Sequence, residues 1–126
     1  MVTVEDIRAL TKSLPRSEEH LVRDQVKFRV GRLVYLALSP DETTMGFAYP
    51  KEHREALVTA EPHKFHLPRP SDMRYNWVDA TLTHLGTEEL TELVINAWTM
   101  CVPKSVAAAF LDTVSQRRRP GPGTRR

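Results

Sequence analysis

Four cations recur through one stretch, Arg23-Asp24-Gln25-Val26-Lys27-Phe28-Arg29-Val30-Gly31-Arg32-Leu33-Val34-Tyr35-Leu36-Ala37-Leu38. Lys and Arg side chains only donate hydrogen bonds, so the chemistry open to Arg23, Lys27, Arg29 and Arg32 is the binding of anions, phosphate oxygens above all. Lys27 and Arg29 alternate with Val26, Phe28 and Val30, the period of a half-buried strand, which places both cations on one face. Alternate strand residues lie roughly 6–7 Å apart, close to the spacing of phosphates along a nucleic-acid strand. The same pattern reads equally as a solvated sheet face whose cations pair with Glu18, Glu19 or Asp24.

A second candidate is the loop Pro68 to Trp77. Arg69, Arg74, Tyr75 and Trp77 mix cations with aromatic rings, as a stacking platform for bases does. Against this, Tyr75 and Trp77 also read as core rings facing inward from the start of a strand. Asp72 and Asn76 read as caps of the loop backbone.

The remaining reactive residues carry little. His63 and His66 are three apart, a helical spacing in a segment that reads as a strand, and neither they nor His53 has a Cys or carboxylate cluster beside it, so no metal site is expected. Cys101 falls near a helix C-terminus on an apolar stripe, where a thiol stays neutral and structural. There is no Gly-rich phosphate loop, no Gly-x-Ser-x-Gly and no His-Glu-x-x-His. No catalytic residue and no cofactor is therefore expected, and the chain reads as a non-enzyme.

The elements that position these residues follow from periodicity. Thr3 caps a helix running to about Lys12, with Ile7, Leu10 and Leu14 on one face and Pro15 as its stop. Ser17 to Arg23 reads as an edge strand. The two strands of the basic stretch turn at Gly31-Arg32, and Leu33 to Leu38 is apolar enough to be central and covered. Thr43 to Tyr49 is a further strand, with Met45, Phe47 and Tyr49 on one face. Pro50 opens a helix over Lys51 to Ala60. A short strand is expected within His63 to Leu67. Another runs from Tyr75 to Leu82, with Trp77, Asp79 and Thr81 opposite Val78, Ala80 and Leu82. Thr87 caps a helix over Glu88 to about Val102, and Pro103 separates it from a last segment, Ser105 to about Val114. The order predicts an α+β fold, an antiparallel sheet with helices packed on one face. One domain over residues 1–115 precedes an Arg-rich tail, 116–126, whose lack of apolar residues predicts disorder.

Read in that order, the chain resembles the MmcQ/YjbR family of small bacterial proteins, especially its actinobacterial type. The resemblance rests on Val26 to Tyr35, on Met45-Gly46-Phe47-Ala48-Tyr49-Pro50-Lys51-Glu52, on Ser71-Asp72-Met73-Arg74-Tyr75-Asn76-Trp77-Val78, and on Ala97-Trp98-Thr99-Met100-Cys101-Val102-Pro103-Lys104. It spans about residues 3 to 110. It implies a frataxin-like, or double-wing, topology and the family's label of DNA-binding protein. Asn76 stands where many relatives have Gly before the Trp, and the cation many carry in the strand before the second helix comes later here, at Lys51. Frataxin-like relatives use an acidic first helix for iron; here that helix offers only Glu5 and Asp6, so that role is not carried over.

Charge sharpens the expectation. Of a net charge of +2, the last ten residues supply five Arg and no acid, leaving 13 Lys and Arg against 16 Asp and Glu in the other 116 residues. The body is thus slightly acidic, and any nucleic-acid site on it must be a local patch. The expected function is low-specificity binding of DNA phosphates by Arg23, Lys27, Arg29, Arg32, Arg69 and Arg74, with stacking on Tyr75. The alternative is a module for a small molecule or protein, with a crevice near Trp77 and Tyr49. No apolar run reaches the ~18 residues of a membrane span. With one cysteine and no basic-then-apolar leader, the chain is expected to be cytoplasmic and, by default, monomeric.

Overall fold

The computed structural model describes residues 2–118. Its elements run α1 (Val4–Thr11), β1 (Ser17–Val22), β2 (Gln25–Val30), β3 (Leu33–Leu38), β4 (Thr44–Ala48), α2 (Lys51–Ala60), β5 (Phe65–His66), β6 (Trp77–Thr81), α3 (Thr87–Thr99) and α4 (Lys104–Arg118). The strands form one six-stranded sheet in the order β1-β2-β3-β4-β6-β5, and every pairing is antiparallel. The α+β class expected from the sequence is the class observed. The tail expected at 116–126 falls largely outside the described residues: α4 is described to Arg118, and 119–126 lie beyond.

One face of the sheet is buried. Phe28, Leu36, Leu38, Met45, Phe47, Val78 and Ala80 point from the strands into a core closed by Ile7 of α1 and by Leu90, Val94, Ala97 and Trp98 of α3. Thr3 and Asp6 form a reciprocal capping box at the start of α1, which satisfies two otherwise orphaned N–H groups. Trp98 is fully buried, stacks edge-on against Phe110 of α4, and its indole N–H donates to the Pro15 carbonyl at 2.9 Å. No helix among the described residues is long and apolar enough to cross a membrane.

Two details of the basic stretch differ from the sequence reading. Arg23 is not part of the edge strand, which ends at Val22, and Asp24 follows it. They form the two-residue turn between β1 and β2, with φ of +50° and +66°, as a hairpin turn of the primed type requires. The apolar run of β3 also has a local cause. Between β2 and β3 the register steps from Phe28↔Leu36 to Arg29↔Val34, leaving Tyr35 as an extra residue. This bulge turns both Tyr35 and Leu36 inward, and Val34 and Ala37 stay on the open face. β3 is central in the sheet without being covered on both sides. The Tyr35 hydroxyl meets Ser17 Oγ at 2.6 Å, and burial pushes its pKa up to about 12. At the other turn Gly31 takes φ +59°, the conformation the glycine was expected to supply.

Candidate binding groove on the open sheet face

The uncovered face of the sheet is crossed by one row of directly paired residues: His20, Lys27, Ala37, Gly46, Asp79 and His66, one from each strand. Paired residues share a face, so all six project away from the helices. The two central positions are Ala and Gly, and their neighbours are long or branched. The middle of the face is therefore low and its sides are high. The result is a groove of about 830 Å³.

Gly46 is set by close approach. A Cβ there would stand 2.5 Å from Trp77 Nε1, 2.8 Å from Trp77 Cζ2 and 2.9 Å from Asp79 Oδ1. The indole edge thus occupies the space that any other residue would fill. Trp77 is half-buried on this open face, outside the core cluster, which corrects the expectation of a core ring. Its indole N–H and the Asp79 carboxylate border the same space over Gly46, and the N–H favours the ionised carboxylate. Burial raises the Asp79 carboxyl above its ordinary value; the Asp72 charge adds to this, and His66, Arg69 and the indole N–H oppose it.

The sides carry the cations. On one stand Gln25 and Lys27 of β2 and Arg32 of the β2–β3 turn; on the other stand Arg69, Asp72 and Tyr75. Lys27 and Arg32 make no ion pair among the described residues. Arg69 reaches Asp72 at 3.4 Å, so it is only loosely neutralised. Arg74 lies outside the lining, with its guanidinium 4.9 Å from the Tyr75 ring centre and donating to the Tyr75 hydroxyl at 2.8 Å. Arg29 shares the face but is drawn toward β1: its Nη2 lies 3.2 Å from His20 Nδ1, and His20 in turn reaches Glu18. Arg23 is exposed at the far turn. Of the seven residues proposed from sequence, Lys27, Arg32, Arg69 and Tyr75 come together in the groove; Arg23, Arg29 and Arg74 lie around it. Tyr49 does not line the groove; it packs against the core, edge-on to Phe47.

The loop bearing Arg69 to Tyr75 is fixed from below by α2. Arg54 is buried, and its guanidinium donates to the carbonyls of Met73, Tyr75 (2.8 Å) and Trp77 (3.2 Å). Asn76 Oδ1 accepts from the Lys51 backbone N–H at 3.0 Å, capping the start of α2, and Lys51 Nζ donates to the Arg74 carbonyl. Sequence reasoning singled out neither Arg54, Asp79 nor Gly46. Signals existed for each. Arg54 shares a helix face with the half-buried Leu57 and Val58, Asp79 alternates with Trp77 on a strand, and Gly46 is an isolated glycine inside a strand. His63 stacks edge-on with His84, and His66 meets Thr81. No group of three potential metal ligands occurs among the described residues. Burial raises the Cys101 thiol, the inert direction.

Comparison with known proteins gives two findings. The YjbR family model matches residues 12–100. The chain is also similar to the crystal structure of the Deinococcus radiodurans protein DR2400, which carries the family-model domain DUF419. The two are 26% identical with a TM-score of 0.69, over 79% of this chain and 78% of that one. No curated protein matches. The residues that build the groove, from Gln25 to Asp79, all fall inside the matched span.

Proposed function

The chain belongs to the YjbR family, and from that premise we propose that it is a non-catalytic DNA-binding module whose open sheet face takes a nucleic-acid strand. The observation that carries the reading is the meeting of two distant cationic segments, Lys27–Arg32 and Arg69–Tyr75, on opposite sides of one groove. Lys27, Arg32 and Arg69 contact phosphates. Tyr75 and Trp77 offer the rings between them for stacking, while Arg23, Arg29 and Arg74 add a weaker outer field. No α-helix contributes a residue to the groove lining among the described residues, so contacts go chiefly to the backbone and sequence preference is low.

The test is fluorescence anisotropy with labelled single-stranded and duplex DNA at about 50 and about 200 mM salt. Joint replacement of Lys27, Arg32 and Arg69 by Ala is expected to weaken binding at least tenfold and to flatten the salt dependence by two to three phosphate contacts' worth, about one in slope for each. Replacing Arg119, Arg125 and Arg126 by Ser should change affinity much less. If only the tail variant loses binding, the groove is not the site.

A second reading, a small-molecule module, is favoured by the size of the groove, which lies in the ~300–1,000 Å³ range of ligand pockets, and by its two carboxylates, Asp72 and Asp79. Quenching of Trp77 fluorescence by a metabolite, with no response to DNA, selects it.

A further inference from the structure

A site for phosphate alone has no use for a half-buried carboxylate at its floor. Asp79 repels the phosphates that Lys27 and Arg32 attract, and it stands beside the ring on which a base would stack. Beside it over Gly46 stands the indole N–H of Trp77, and among the described residues Asp79 is in no salt bridge, His66 and Arg69 acting on it only as nearby charges. A carboxylate so placed accepts from paired N–H donors on a planar ligand. Among the nucleobases, guanine alone offers two adjacent donors, N1–H and the N2 amino group, on its pairing edge. Cytosine and adenine each offer one amino group there. Thymine offers a single N–H between two carbonyl oxygens, which the carboxylate repels.

We infer that the groove floor is a base-binding subsite: Trp77 and Tyr75 take an unpaired guanine between them, Asp79 accepts from its N1–H and N2–H groups, and Lys27 or Arg32 holds the attached phosphate. This rests on the strand-binding reading and deepens it. The indole edge of Trp77 fills the space over Gly46, and the small side chain of Ala37 beside it leaves depth for a flat ring. A base must leave a duplex to enter, so single strands and loops bind in preference to paired DNA. The same chemistry is offered by a free guanine nucleotide, and the experiment separates the two sources.

The probe is built in. The chain has two tryptophans, and Trp98 is fully buried and bonded to the Pro15 carbonyl, so emission changes on ligand addition report Trp77. Full-length protein is titrated with dGMP and dTMP, and with a thymine octanucleotide with and without one central guanine. Affinity is read from the concentration dependence of emission and from calorimetry. The inference expects guanine ligands to bind about tenfold or more tighter than thymine ligands. Asp79→Asn should erase or reverse that preference, because a carboxamide pairs with thymine's donor and acceptor and opposes guanine's second donor. Equal affinity for both bases, or a preference unchanged in D79N, overturns the subsite while leaving backbone binding standing. A guanine preference seen with dGMP but no gain from the longer strand keeps the subsite and overturns the strand reading. No response to any of the four ligands overturns both.

Discussion

Burial holds the Asp79 carboxyl above its ordinary value even though His66, Arg69 and the Trp77 N–H each act to lower it. A carboxyl whose pKa is higher in the folded state binds its proton more tightly there. Stability therefore falls as pH rises from the ordinary value through the raised one, and the deficit persists at neutral pH. Asp79→Asn is expected to raise the melting temperature at about pH 7 and to leave it unchanged near about pH 3, where both states are protonated. Thermal denaturation followed by circular dichroism checks this. A group kept against the interest of the fold is a mark of a binding site. Gly46 argues the same from sterics. Its missing Cβ would overlap the indole edge, so Gly46→Ala must push Trp77 out of place. The expected loss is about 1–3 kcal/mol, accompanied by a shift in tryptophan emission that the buried Trp98 cannot cause.

At the scale of elements, the groove depends on α2, although α2 contributes none of its lining. The Arg54 fork holds three carbonyls of residues 73–77 at once, a geometry that a lysine cannot reproduce. Arg54→Met keeps the buried stem and removes the fork; it is expected to lower stability by about 2–4 kcal/mol, measured by urea denaturation. Arg54→Lys should recover little of it, and both variants should weaken groove ligands as the wall bearing Arg69 and Tyr75 loosens. The sequence made the strands, the Gly31 turn, the Thr3 cap and the face of β6 legible, because each is written in local periodicity or turn chemistry. It also placed Lys27, Arg32, Arg69 and Tyr75 among the residues of interest by type. It could not show that they share a groove, since that depends on β6 inserting between β4 and β5 and bringing the loop before it across the sheet. The bulge at Tyr35 was hidden for a similar reason: an unbroken apolar run looks the same whether a strand is covered on both faces or kinked. Sequence leaves Trp77 open between core and surface, because ring type says nothing about which face is open.

For the molecule as a whole, the division of labour between faces is plain. One side of the sheet carries α1, α3 and the buried core, and the other holds the groove, bordered by the loop of residues 69–75. The body outside the last ten residues holds 13 Lys and Arg against 16 Asp and Glu, so global attraction to a polyanion is weak and binding must come from the local arrangement. The measurement that tests this most directly is a map of backbone amide chemical shifts in the full-length protein on addition of a short single-stranded oligonucleotide containing guanine. The account predicts shifts at Lys27, Gly46, Trp77 and Asp79 and along residues 69–75, with α1 and α3 silent. Shifts confined to the end of α4 and residues 119–126, with the row from Lys27 to Asp79 unmoved, would contradict it.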